Sequence, residues 1–182
     1  LNLANSVALA IASIISGGNV VLTNSSDISV GSVNAGANNV NLTSTSGNIN
    51  DDGTDSVNDI TANALTLTAN ASGKGVGIGN SLDTAVSNLA ATVGSGGLNL
   101  ENTGPFTVSN IASSGNVDLT NSSNLLVGSI SDGNVNLTSL GSIIDNNLGL
   151  NNITASSLKA QASSGIGAGG DSLETAVRNL AA

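Results

Sequence analysis

Apolar and polar residues alternate in short bursts along this chain. Val40-Asn41-Leu42 and Leu65-Thr66-Leu67 each place two aliphatic side chains on one side of an extended segment. Such bursts begin at Leu1, Val20, Val40 and Leu65, then at Leu98, Val117, Val135 and Leu158. The intervals are 19, 20, 25 and 33 residues, then 19, 18 and 23. Between the bursts lie clusters of Asn, Gly, Ser and Asp, which tolerate tight and left-handed turns. Short strands recurring about every 20 residues predict an all-β fold built from the coils of a parallel β-helix, a solenoid. A sandwich would carry hairpin dipeptides and aromatic core residues.

A longer period overlies this beat. Leu1-Asn2-Leu3-Ala4-Asn5-Ser6 matches Leu98-Asn99-Leu100-Glu101-Asn102-Thr103, and the run Gly18–Ser26 matches Gly115–Ser123, both at an offset of 97. Val40–Ser44 matches Val135–Ser139 at 95, Ile60–Ala62 matches Ile153–Ala155 at 93, and Ser81–Ala91 matches Ser172–Ala182 at 91. The offset shrinks only in Gly- and Asn-rich stretches, where loops tolerate deletions. Two copies are therefore expected, 1–97 and 98–182, forming one continuous solenoid of about eight to ten coils with the second copy cut short. At about 4.8 Å per coil the rod would be roughly 38–48 Å long.

The interval from Leu65 to Leu98 admits two readings. Leu82, Ala85, Val86, Leu89 and Ala90 are spaced as the stripe of an amphipathic helix, with Ser81 at the N-cap position and Asp83 in the first turn. Ser172 and Glu174 repeat that arrangement. The segments 81–91 and 172–182 are thus either a short helical insertion in each repeat or another bent coil, with Leu82, Val86 and Leu89 pointing into the lumen.

Composition narrows the chemistry. Asn, Ser, Gly and Thr supply 94 of 182 residues, while Phe106 is the sole aromatic and His, Cys, Met, Trp and Tyr are absent. Without His or Cys there is no ligand set for zinc, copper, haem or an iron–sulfur cluster, no thiol nucleophile and no Ser-His-Asp triad. Three basic residues (Lys74, Lys159, Arg178) against a net charge of −9 make no phosphate-binding patch, so nucleic acid is not an expected partner. Val7–Ile15 is too short an apolar run to span a membrane, and no membrane insertion is expected. Aliphatic side chains are plentiful and regularly placed and only 8% of residues are charged, so the chain should fold rather than remain disordered.

The Asn-Val-x-Leu-Thr-Asn-Ser-Ser type of run and the Ile-Thr-Ala-x-x-Leu runs carry a family resemblance. So, above all, does Gly77-Ile78-Gly79 leading through Leu82-Asp83-Thr84-Ala85-Val86-Ser87-Asn88-Leu89-Ala90-Ala91 to Leu98-Asn99-Leu100. These strings resemble the repeat region of filamentous-haemagglutinin-like exoproteins, large bacterial adhesins of the two-partner secretion type. The resemblance spans essentially the whole chain and recurs in both copies. It implies a right-handed β-helical shaft, export through an outer-membrane transporter barrel, and display at the bacterial cell surface, where a host-cell or surface receptor or neighbouring fibres would be met. The secretion domain at the amino terminus of such proteins has no counterpart here, so the chain is expected to be an excerpt from a longer fibre.

Candidate chemistry is sparse. Asp51, Asp52, Asp55 and Asp59 form the densest acidic stretch. It reads as a solvated acidic turn; a structural calcium ion held by these carboxylates is the alternative. Parallel β-helices also include polysaccharide-degrading enzymes, in which two carboxylates cleave a glycosidic bond. Here no basic or aromatic residue stands near the acidic stretch to hold a sugar, and the expectation is no enzyme and no cofactor. Gly169-Gly170-Asp171 echoes one calcium-binding nonapeptide without its tandem period. Gly73–Gly79 lacks the Gly-Lys-Ser/Thr ending of a phosphate loop and reads as a turn of little bulk. Thr43/Thr45 and Thr66/Thr68 are too few for a flat threonine array. The expected role is a structural shaft segment of a secreted adhesin, with a module that binds a ligand or glycan through exposed loops as the alternative.

Overall fold

The computed structural model describes residues 1–53, 57–167 and 170–182. The described residues form 21 strands of one parallel sheet and no helix, stacked as a β-solenoid of about 9 turns. Each turn of the first copy has three faces. The long face stacks Asn2–Asn5, Val20–Asn24, Asn39–Ser44 and the second half of Ile60–Ala69. Its register places Leu3, Leu22, Leu42 and Leu67 in one inward column. The second face aligns Leu9, Ile28, Ile49 and Val76, and the third aligns Ile14, Val33, Ile60 and Thr84. The second copy repeats the scheme: Leu98, Val117, Val135 and Leu158 on its long face, Phe106, Leu125, Ile143 and Ile166 on its second, Ile111, Ile130, Ile153 and Thr175 on its third.

The alternation that suggested strands is also what builds the core. In Val20–Asn24 and Asn39–Ser44 every second side chain is buried, and the buried ones are Val, Leu and a terminal Asn or Ser. Each aliphatic residue so covered contributes roughly 1.5–3 kcal/mol. Phe106 is 1% exposed and lies in the lumen, which accommodates its ring among branched aliphatics.

The segments 81–91 and 172–182 are not helical, which corrects the reading of a helical insertion in each repeat. Leu82–Val93 and Thr175–Ala181 are strands. In the first, Leu82, Thr84 and Val86 are buried alternately, then Leu89, Ala91 and Val93. The two alternating runs are out of phase by one residue at Ser87–Asn88, where the chain passes from the third face to the long face. A strand that slips phase at a corner has the same apolar spacing as a helix, and here stacking on the neighbouring coil decides between them.

That slip also explains the 33-residue interval. Leu89 and Ala91 stack on Leu65 and Leu67, adding one extra strand to the long face before the second copy begins. In consequence the faces are exchanged at the junction. Leu98 stacks on Val76 and Leu100 on Leu82, so the second copy's long face continues the first copy's second and third faces. Val108 and Ile111 stack on Leu89 and Ala91, with a bulge between Leu89 and Ala90 that absorbs one additional residue. Gly97 makes the crossing possible: its φ is +85°, and a Cβ there would stand 2.3 Å from the Asn116 carbonyl oxygen. Equivalent strands of the two copies therefore lie on different faces of the rod.

Candidate functional site

The polar groups that matter most are inside, at two corners. The first is a ladder at the turn that ends each long-face strand. Asn24, Asn102 and Asn121 are at most 1% exposed. Asn5 Nδ2 donates to Asn24 Oδ1 at 2.8 Å, and Asn102 Nδ2 to Asn121 Oδ1 at 3.1 Å. Asn24 and Asn121 each donate to two carbonyls of the turn that follows, at 2.8–2.9 Å. In the third coil of each copy a serine takes over: Ser44 and Ser139 donate to the carbonyls of Ser26 and Ser123 at 2.7 Å. At the junction Thr84 Oγ1 donates to Asn102 Oδ1 at 2.9 Å, as does the Val86 amide at 2.9 Å. A short amide side chain turned inward closes the turn and grips the next coil; two sequence neighbours could not do both.

The second corner holds the acidic stretch. Asp51 ends the strand Ile49–Asp51 on the second face, and Asp59 precedes Ile60 on the third. Asp59 is 3% exposed, which departs from the expectation of a wholly solvated turn. Its Oδ2 accepts the Asp83 amide at 2.8 Å, and its own amide donates to the Asp83 carbonyl at 2.8 Å. Asp51 lies near enough for its charge to act on the Asp59 carboxyl. Burial pushes the Asp59 pKa up to about 7; the Asp83 amide opposes this, and the charges of Asp51 and Asp83 add to it. Asp51 in turn accepts Gly53 N–H at 3.0 Å and the Asn80 side-chain amide. Asp52 points elsewhere: a Cβ on Gly31 of the preceding coil would stand 2.5 Å from its Oδ2. Asp55 lies outside the described residues, as does Gly169. Of the four carboxylates named from the sequence, the structure buries Asp59, bonds Asp51 to Gly53 and Asn80, and turns Asp52 toward Gly31. Among the described residues no three acidic groups converge as a metal cage would require.

The second copy exchanges acid and amide at this corner. Asn152, which is fully buried, stands where Asp59 does; its Oδ1 accepts the Glu174 amide at 2.8 Å, and its Nδ2 donates to Asp145 Oδ1 at 2.5 Å. Asp171, exposed, stands where Asn80 does. The Asn152 hydrogen bond holds the Asp145 carboxyl below its usual range, with further help from the Asn147 and Leu148 amides. Those two amides shape a tip in which Leu148 has φ +56° and is 91% exposed, beside Leu150 at 69%.

The sequence places Asp83 and Glu174 in the first turn of a possible helix; the main chain there is in fact what Asp59 and Asn152 grip. Asn and Ser suit turn stacks that bond to the next coil, and the structure has them; what the sequence did not single out is that Asn24, Asn102 and Asn121, directly after the alternating strands, turn inward. It also missed Asp132, which burial pushes up to about 6 against the opposing Gly133 and Val117 amides, with the Asp118 charge adding to the rise. The glycine-rich segment is a turn of little bulk: a Cβ on Gly75 or Gly77 would stand 2.2 or 2.1 Å from the carbonyl oxygen of Gly97 or Asn99 on the next coil. Lys74 stands 4.0 Å from Asp27 at the surface. An open groove of about 390 Å³ includes Asp83, Glu101, Thr103, Ser122 and Leu140 in its lining, with no ring or cation among the described residues that line it. Compared with protein-family models, curated proteins and solved structures, the chain matches none.

Proposed function

We propose that this chain is a shaft segment of a secreted, cell-surface filamentous adhesin. Its task is length and stiffness, and its loops are offered to a surface receptor or to neighbouring fibres. One observation carries the reading: all 21 strands belong to one parallel sheet that crosses the boundary between the copies without a break. Hydrogen bonds then run along the rod, each coil is held by its neighbours, and stability grows with coil number. About 9 turns at roughly 4.8 Å give a segment of about 43 Å. The resemblance of the repeats to those of exported adhesins supports passage through an outer-membrane transporter barrel and extracellular display.

A non-catalytic role is supported at the acidic corner, where Asp59 is buried away from any sugar. The alternative, a module that binds a ligand or glycan through its loops, is favoured by the Leu148–Leu150 tip, whose strained backbone and exposed leucines have no packing explanation. Electron microscopy of the parent protein discriminates. A uniform rod with an axial rise near 4.8 Å per coil supports the shaft; a compact particle contradicts it.

A further inference from the structure

The chain contains two Asp-Gly dipeptides, Asp52-Gly53 and Asp132-Gly133. In such a pair no side chain crowds the nitrogen that follows the carboxyl. The structure treats the two differently. Gly53 N–H donates to Asp51 Oδ1 at 3.0 Å, while Asp52 turns its own carboxyl toward Gly31. Gly133 N–H donates instead to the carboxyl of its own neighbour, Asp132 Oδ1.

The corner that holds Asp132 is short. Between the third-face Val33 and the long-face Val40 the first copy turns with residues 34–39; between the equivalent Ile130 and Val135 the second copy has only residues 131–134. In the longer corner Gly36 N–H bonds Asn34 Oδ1 at 3.0 Å, two residues back. The shorter corner folds Asp132 onto the very next nitrogen. The main chain on either side is clamped by the following coil. Asp132 N–H donates to the Thr154 carbonyl at 3.0 Å, and the Gly133 carbonyl accepts the Ser156 and Ser157 amides at 2.7 and 3.3 Å. A Cβ on Gly133 would come no nearer than 3.8 Å to another group, the Gly115 carbonyl oxygen. Asp132 Oδ2 is buried and has no hydrogen-bond partner.

We propose that Asp132-Gly133 is a self-modifying site, at which the Asp132 carboxyl condenses with the Gly133 nitrogen to a cyclic imide. A bond forms between Gly133 N and Asp132 Cγ, the Cγ–hydroxyl bond breaks, and the hydroxyl leaves with the nitrogen's proton as one water. The step needs no co-reactant. The two groups that tie this corner to the next coil, the Asp132 N–H and the Gly133 carbonyl, lie outside the new ring. The hydrogen given up bonds only the reacting carboxyl, so no inter-coil bond is lost and the corner gains a covalent link. Holding the carboxyl against its nucleophile supplies the proximity that speeds such a closure. Loss of water requires the neutral acid. Burial pushes the Asp132 pKa up to about 6; of the charged groups around it, Asp118 favours the neutral form and Arg178, which lines the same open groove, the ionised one. Water re-opens the imide at either carbonyl, returning aspartate or leaving an isoaspartyl link.

The test keeps the whole 182-residue chain folded at mildly acidic pH and follows it by intact mass and peptide mapping. A species lighter by one water is expected, mapping to the peptide that carries Asp132-Gly133, with isoaspartate at position 132 after transfer to neutral pH. Both should accumulate at least about tenfold faster than at Asp52-Gly53 in the same sample, and the two sites should react alike once the chain is unfolded in urea. Asp132→Ala should abolish the signal; if that variant does not fold, the comparison of the two dipeptides in the wild type decides alone. Equal rates at the two sites in the folded chain, a faster reaction at Asp52, or neither imide nor isoaspartate at position 132 would overturn the proposal.

Discussion

Replacing Asn121 by alanine removes the centre of the inward ladder. The side chain is fully buried and makes three hydrogen bonds: it accepts from Asn102 at 3.1 Å and donates to the Ser123 and Asn124 carbonyls at 2.8 and 2.9 Å. At about 1 kcal/mol net for each, the direct loss is about 3 kcal/mol. The Asn124 carbonyl and the Asn102 amide also lose a partner, which raises the expected cost toward about 4 kcal/mol. Asn136→Ala is the matched control. That side chain is half-buried on the outer surface and makes one bond of 3.0 Å to Asp118, so about 1 kcal/mol or less is at stake. Asn121→Ser should fall between the two, because Ser139 already performs a reduced version of the role one coil later. Urea denaturation followed by far-ultraviolet circular dichroism measures all three, with the slope against urea expected to be unchanged. Equal losses for Asn121→Ala and Asn136→Ala would refute the claim that the buried amides grip successive coils.

Other outcomes follow from the same geometry. Gly97→Ala forces a Cβ to 2.3 Å from a backbone oxygen at φ +85° and should destabilise the chain by more than 2 kcal/mol or so, read as a shifted urea midpoint. Phe106→Ala should cost about 3–5 kcal/mol in the same assay, and Phe106→Leu much less. Asp59 binds its proton more tightly folded than unfolded, so stability should be highest below pH 3.8, fall as pH rises toward about 7, and be flat above it, by at most about 4 kcal/mol in total. Asp59→Asn should remove the part of the decline between about pH 6 and 7 and leave the part that Asp132 contributes up to about pH 6. Removing calcium with a chelator should leave the melting temperature unchanged; a reproducible drop would revive a structural ion at the acidic corner.

The register of the long faces was legible because one side of each strand must be buried. A slip of one residue would turn Leu22 and Leu42 outward. The path through 82–93 was not settled by spacing, since Leu82, Val86 and Leu89 fit a helix stripe as well as a strand that changes phase at a corner. Exchange of faces at the junction was invisible: it depends on where Leu98 and Leu100 come to rest, and that is set by contacts with Val76 and Leu82, not by neighbours in the chain. Burial of Asp59 was hidden for a related reason. An aspartate in an acidic, Gly- and Ser-containing stretch looks solvated, and what draws it inward is the main chain of Asp83, 24 residues on.

The continuous stack across the two copies can be tested with cysteine pairs, because the chain has no cysteine of its own. Asp83 and Glu101 are register partners at the junction, so their Cα atoms lie within the span of a disulfide. If the long faces instead continued directly, with Leu100 over Ala91, Glu101 would lie beside Thr92. Mild oxidation of the Asp83→Cys/Glu101→Cys protein is expected to give a rapid intramolecular disulfide with the fold intact, and the Thr92→Cys/Glu101→Cys protein none. The reverse outcome would contradict the exchange of faces, and failure of both pairs would contradict the continuous solenoid itself.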